Sequence, residues 1–212
     1  MKERPILFGG PMVRAILEGR KTKTRRIVKD HEIERLSDRH EFANSGQHHL
    51  SEKETPGYAY VVRRGDSVPV GIPCPHGKPG DRLWVRETWS YSDRRACDKE
   101  IFYKATDGNV KQRTLSFSTR EQRWRPPIYM FREDSRINLE ITDIRVERLQ
   151  DITEEDAKAE GCLPVIHEDG AVDCGTRKTN FAKLWESING PDSWDANPFI
   201  WVISFKRVEH QS

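Results

Sequence analysis

The chain has 212 residues, 35% of them hydrophobic and 33% charged, with a formal net charge of +2. That length suits one domain with long loops, or one and a half domains, and the near-balance of charge excludes a uniformly polybasic nucleic-acid binder, so any basic face must be local. No run approaches the ~20 apolar residues needed to cross a bilayer, and no targeting segment is visible, so no membrane partner is expected.

Pro5-Ile6-Leu7-Phe8 reads as a short strand, closed by Gly9-Gly10. Pro11 to Glu18 reads as two helical turns, with Pro11 at the first helical position and Met12, Ala15 and Ile16 on one face. Gly19 is placed to end that helix in a left-handed conformation and to turn the chain sharply. The most informative stretch of the chain begins at this turn: Gly19-Arg20-Lys21-Thr22-Lys23-Thr24-Arg25-Arg26, five cations in eight residues, with no acid until Asp30. An amine, Lys21, stands three residues before a hydroxyl, Thr24. A base and a nucleophile inside a patch that attracts anions is one reading; a solvated basic strand is the other. Residues three apart lie on opposite faces of a regular strand, so Lys21 and Thr24 meet only if the chain bends between them.

Residues 30–57 are polar and read as an insertion with a short helix at Glu32 to Leu36. Tyr58 to Arg63 has strand composition, the Gly77-Lys78-Pro79-Gly80-Asp81 run is a turn, and Arg82 to Thr88 alternates as a strand. Ile101 to Lys104 is another strand inside a second polar insertion, 91–125. Ile137 to Leu149 reads as one long strand, bulged near Thr142-Asp143. Thr153 to Glu160 reads as a short helix capped by Thr153 and ended by Gly161. A third insertion, 163–178, leads to Phe181, Leu184, Trp185 and Ile188 at helical spacing, expected as a helix over Thr179 to Ile188. Phe199 to Phe205 closes as a strand. Strands outnumber helices and no βαβ rhythm appears, which favours an α+β fold built on a small, mostly antiparallel barrel with peripheral helices.

Cys74, Cys97, Cys162 and Cys174 form no CxxC pair and read as reduced thiols of a cytoplasmic protein. Cys74 and His76 supply at most half of a zinc site, and no His/Asp/Glu cluster has ligand spacing; neither a metal nor a cofactor is expected. Trp84, Trp185 and Trp201 lie in patterned segments and read as core. Trp89 and Trp124 are the candidates for stacking on a base, and Arg20, Arg26, Lys78 and Arg86 for contacting phosphate.

The order of these features resembles the ASCH family (activating signal cointegrator homology). A short helix ends in Gly-Arg-Lys-Thr-x-Thr-x-Arg; a Gly-Asp turn opens a strand; a Thr-Glu-rich short helix and a closing strand complete the order. Residues 74–89 (Cys-Pro-His-Gly-Lys-Pro-Gly-Asp-Arg-Leu-Trp-Val-Arg-Glu-Thr-Trp), Trp124 to Met130, Ser135-Arg136-Ile137 and Asn197 to Val202 are similar to the longer members from bacteriophages and prophages. The resemblance covers nearly the whole chain. It implies a single PUA-like β-barrel over 1–212, RNA or nucleotide handling, and a cytoplasmic setting in a bacterial or phage-infected cell. Small bacterial members are amidohydrolases that deacetylate N(4)-acetylcytidine. Carrying their motif over residue by residue makes Lys21 the catalytic lysine, Thr24 the catalytic threonine and Glu160 the glutamate that closes the short helix, with backbone N–H groups near Gly19 and the surrounding cations stabilising the oxyanion. A non-catalytic RNA- or nucleotide-binding module, or a ribonuclease of the kind reported for another branch, is the alternative reading.

Overall fold

The computed structural model describes residues 1–29, 40–42, 58–63, 69–91, 100–108, 124–164 and 177–208. Most of the three expected insertions, and the helix expected at Glu32 to Leu36, lie outside the described residues. The class is α+β, with strands predominating. The strands are β1 (Glu3–Leu7), β2 (Lys23–Ile27), β3 (His40–Phe42), β4 (Tyr58–Arg63), β5 (Pro69–Pro73), β6 (Arg82–Arg86), β7 (Trp89–Tyr91), β8 (Ile101–Tyr103), β9 (Asn138–Arg148) and β10 (Phe199–Val208). The helices are α1 (Gly10–Leu17), α2 (Lys104–Asp107), α3 (Glu154–Ala159) and α4 (Arg177–Asn189), with two 3₁₀ turns at Pro127–Tyr129 and Leu149–Asp151.

Five strands form the main sheet in the order β1-β6-β9-β10-β2, antiparallel throughout except for the parallel pair β1-β6. β3-β4-β5 form a second sheet and β7-β8 a hairpin, which gives part of the second expected insertion regular structure. The main ladder is open between β1 and β2 among the described residues. A side chain spans the gap: Arg26 Nη2 donates to the Leu7 carbonyl at 2.8 Å.

β10 carries two hydrophobic cores, one on each face. Trp201, Ile203 and Phe205 face the larger core with Ile6, Phe8, Val13, Ile16, Leu83 and Val85. Ile200 and Val202 face the smaller one with Phe181 and Trp185 of α4 and Leu149, Ile152, Ala157 and Cys162. A strand covered on both sides needs an unbroken apolar run, which Phe199 to Phe205 approaches. β9 meets the larger core with Leu139 and Ile141 and then with Ile144 and Val146. That odd step of three is possible because Ser204 pairs with Asp143 while Phe205 pairs with Ile141, leaving Thr142 as the extra residue of a bulge. The bulge expected near Thr142-Asp143 is therefore present, and it restores the inward phase.

The helix ends also obey the local sequence. The Thr153 side chain accepts from the Asp156 N–H at 3.1 Å, and Gly19 and Gly161 close α1 and α3 with φ of 74° and 89°. Trp84, Trp185 and Trp201 are buried, as expected.

Candidate active site

Lys21 does not lie in a strand. After Gly19 the chain curls back over α1: the Arg20 and Lys21 N–H groups both donate to the Ala15 carbonyl, and the Thr22 N–H donates to the Ala159 carbonyl at 2.8 Å. β2 then begins at Lys23. The bend in this segment thus comes before the strand. Within β2, Thr24 pairs with Ile203, Arg25 with Val202 and Arg26 with Trp201. Paired residues share a face, so Thr24 and Arg26 look toward the larger core while Lys23 and Arg25 look toward α3 and α4.

Both Lys21 and Thr24 are buried, at 2% and 3% exposure. All three N–H groups of the Lys21 ammonium have acceptors: Glu160 Oε2 at 2.5 Å, the Glu160 carbonyl at 2.9 Å and the Lys23 carbonyl at 2.8 Å. The third of these holds the amine against the residue that precedes Thr24. Burial lowers the Lys21 pKa, the Glu160 carboxylate opposes that shift through charge and hydrogen bond, and Arg26 adds to the lowering. Lys21 Nζ and Arg26 Cζ lie 5.6 and 5.4 Å from the centre of the same Phe8 ring.

Glu160 is the hinge between two sets of charges. Its Oε2 takes Lys21, and its Oε1 accepts from Arg25 Nη1 at 3.2 Å. Arg25 Nη2 in turn donates to Asp156 at 2.8 Å, and Lys23 Nζ reaches the other oxygen of Asp156 at 2.5 Å. The registers match: two strand steps between Lys23 and Arg25 span ~6.6 Å, and four helical steps between Asp156 and Glu160 span ~6 Å. Glu160 is therefore a buried member of an ionic ladder.

Arg25, Asp156 and Lys23 are the residues the sequence reading missed. Gly161 makes the close approach possible: a Cβ there would sit 2.9 Å from Ala15 Cβ and 3.3 Å from Lys21 Cβ, at a φ of +89°. Gly161→Ala is expected to lower stability by about 2 kcal/mol or more, from left-handed strain plus overpacking. Denaturant titration checks this, and adding Ala15→Gly should return the packing share only.

The other expected contacts divide. Arg26 stays beside the site. Arg20, half-buried, is held by Glu18 at 2.7 Å and by the Gly161 carbonyl at 3.1 Å, so it pins the loop. Lys78 is exposed on the turn after His76, where its N–H donates to Asp81 at 3.3 Å. Arg86 lies on the opposite face of β6 from Leu83 and Val85, stacked 4.6 Å from the Trp84 ring. Trp89 is wholly buried, with Tyr91 against it edge-on and Arg125 over its face, so it cannot stack on a base. Trp124 is half-buried, next to Arg125 in the chain. The backbone N–H groups of Gly19, Arg20 and Lys21 are all bonded to carbonyls of α1, which corrects the expectation that they form an oxyanion hole.

The chain matches no family model, no curated protein and no solved structure. No group of three or more candidate metal ligands occurs among the described residues, and no helix there is long and apolar enough to cross a membrane.

His76 joins the site from the turn after β5. It is half-buried, and burial together with the charges of Arg26, Lys29 and Arg4 pushes its pKa down to about 4. Between pH 4 and the ordinary value of 6.5 the unfolded chain then binds more protons than the folded one. The folded state accordingly loses stability as pH falls through that window. Urea midpoints at pH 7, 5.5 and 4.5 should decline for the wild type and decline less for His76→Gln.

Proposed function

We propose that this protein is an ASCH-type amidohydrolase on a PUA-like barrel, removing an acyl group from the exocyclic amine of an N(4)-acylated cytidine. The observation that carries this reading is the buried Lys21–Glu160 pair, whose amine is anchored one residue from Thr24 on the core-facing side of β2. A lysine is a base only when neutral. Here the ammonium's proton has an acceptor in contact, so transfer to Glu160 Oε2 leaves a neutral amine and a carboxylic acid inside the protein.

The amine then takes a proton from Thr24, or from a water held by Thr24, as that oxygen attacks the acyl carbonyl. Arg26, on the same face of β2 and two residues away, is the cation suited to the oxyanion. Collapse breaks the C–N bond, and the Glu160 acid supplies the proton to the departing amine. Water completes the balance, directly or by hydrolysing the threonine ester, to give cytidine and a carboxylic acid. A binding module or ribonuclease using the same cations is the second reading, favoured by the concentration of Arg4, Arg26 and Lys29 around His76.

The test is incubation of the purified protein with N(4)-acetylcytidine, followed by chromatography. Release of cytidine and acetate in equal amounts is the expected result. Absence of turnover on acylated nucleosides, nucleotides and oligonucleotides alike would overturn the enzyme reading in favour of the binding module.

A further inference from the structure

Glu160 gives its two oxygens to two different cations. Oε2 meets the Lys21 amine, and Oε1 accepts from Arg25 Nη1 at 3.2 Å. The other arm of the Arg25 fork, Nη2, donates to Asp156 Oδ2 at 2.8 Å. One guanidinium thus bridges two acids that stand one helical turn apart. Arg25 is buried, with its Cζ 5.8 Å from the centre of the Phe181 ring of α4. It lies on the face of β2 opposite Thr24, so it does not meet an acyl group delivered to that hydroxyl.

Asp156 has more cations around it than Glu160 does. Besides Arg25, Lys23 Nζ lies 2.5 Å from its Oδ1 and Arg145 Nη2 lies 3.3 Å from its Oδ2. Burial works against the Asp156 carboxylate, but the hydrogen bond from Lys23 and the charges of Arg25 and Lys23 outweigh it and hold its pKa below the ordinary aspartate value. Asp156 therefore stays charged while Glu160 takes up and releases a proton. When the Lys21 proton moves to Glu160 Oε2, Arg25 loses the charge facing Nη1 and keeps the one facing Nη2. Without Asp156, the same step leaves the guanidinium facing only Glu147 at 3.6 Å, an acid that Arg145 already holds at 2.6 Å. A buried cation without a close counter-charge is strongly unfavourable.

We propose that Arg25 and Asp156 are positioning residues for the deacylation: Arg25 holds Glu160 Oε1, so that Oε2 alone carries the proton between Lys21 and the departing amine, and Asp156 is the counter-charge that lets Glu160 become a neutral acid. The inference rests on the amidohydrolase reading and names the residues that govern its acid. The proton leaves Lys21 Nζ, resides on Oε2 and ends on the amine as the C–N bond breaks. The charge lost at Lys21 equals the charge lost at Glu160.

The experiment measures kcat and KM for N(4)-acetylcytidine across pH in wild type, Arg25→Lys, Asp156→Asn and Arg25→Gln, with folding checked by circular dichroism. Arg26 and Cys162 also act on the Lys21–Glu160 pair, and Lys23, Arg145 and Glu147 lie beyond Arg25 and Asp156; all are kept in every variant. Arg25→Lys keeps the charge and loses the fork. Its kcat should fall by up to about 10²-fold with KM unchanged, and the limbs of its bell-shaped pH profile should stay in place. Asp156→Asn removes a negative charge, so neighbouring groups bind protons less readily. Its kcat should fall, and both limbs should move to lower pH by about one unit. Arg25→Gln removes a positive charge and should move both limbs to higher pH. Damaged packing would shift the two charge variants alike, so opposite shifts support the proposal. If Arg25→Gln does not fold, unmoved limbs in Arg25→Lys against lowered limbs in Asp156→Asn support it. Wild-type kcat in Arg25→Lys and Asp156→Asn, or limbs moving the same way in every variant, overturns the positioning role and leaves the amidohydrolase standing. No turnover by wild type overturns the amidohydrolase, and the positioning role with it.

Discussion

Glu160→Ala is expected to lower the stability of the folded state by about 3–5 kcal/mol at pH 7, the range for removing one partner from a buried ion pair. The substitution strips Lys21 of the carboxylate that meets its amine, whereas Arg25 keeps Asp156 at 2.8 Å. The penalty has a ceiling set by chemistry. Instead of staying charged, Lys21 can give up its proton, which from an ordinary lysine value costs about 4.6 kcal/mol at pH 7 and about 1.9 kcal/mol at pH 9. The deficit of Glu160→Ala relative to wild type should therefore shrink as pH rises from 7 to 9. Denaturant unfolding at both pH values measures it. A deficit under about 1 kcal/mol, or one independent of pH, would mean that the Lys21–Glu160 pair does not hold the site together.

Thr24→Val is expected to lower deacylation by about 10²–10⁴-fold while changing stability by no more than about 1 kcal/mol. Valine keeps the branched shape at a core-facing position and removes only the hydroxyl. This variant separates chemistry from folding, which substitutions at Lys21 and Glu160 do not, because those two side chains are also structural. Circular dichroism and unfolding curves alongside kcat/KM make the comparison. A Thr24→Val protein with wild-type turnover removes the hydroxyl from the mechanism and leaves a water activated by Lys21.

Local features were the legible ones. The Thr153 cap, the glycines at 19 and 161 and the bulge near Thr142 each express a rule acting within a few residues, and each appears where the pattern puts it. The burial of Lys21 was not legible from composition, since a lysine among five cations reads as solvated, and its partner lies 139 residues away. A signal for the pairing did exist. Cations two apart in a strand and acids four apart in a short helix have nearly the same spacing, so Lys23/Arg25 against Asp156/Glu160 could have been proposed as a ladder. Trp89 was misread because its strand alternation says nothing of Arg125, which arrives from a distant segment to cover it.

The place of β10 has a consequence for how the molecule is made. It is the last strand in chain order among the described residues, yet it lies between β9 and β2 and gives β2 its ladder. As the chain emerges from the ribosome, the segment holding Lys21, Thr24 and Arg25 waits for both the helix that brings Glu160 and the strand that brings Ile203. During that interval Lys21, Lys23 and Arg25 stand without Glu160 and Asp156, exposed beside the ribosome's own RNA. Contacts so far apart in sequence close slowly, and translation halted before β10 should yield a chain whose basic segment remains open to protease.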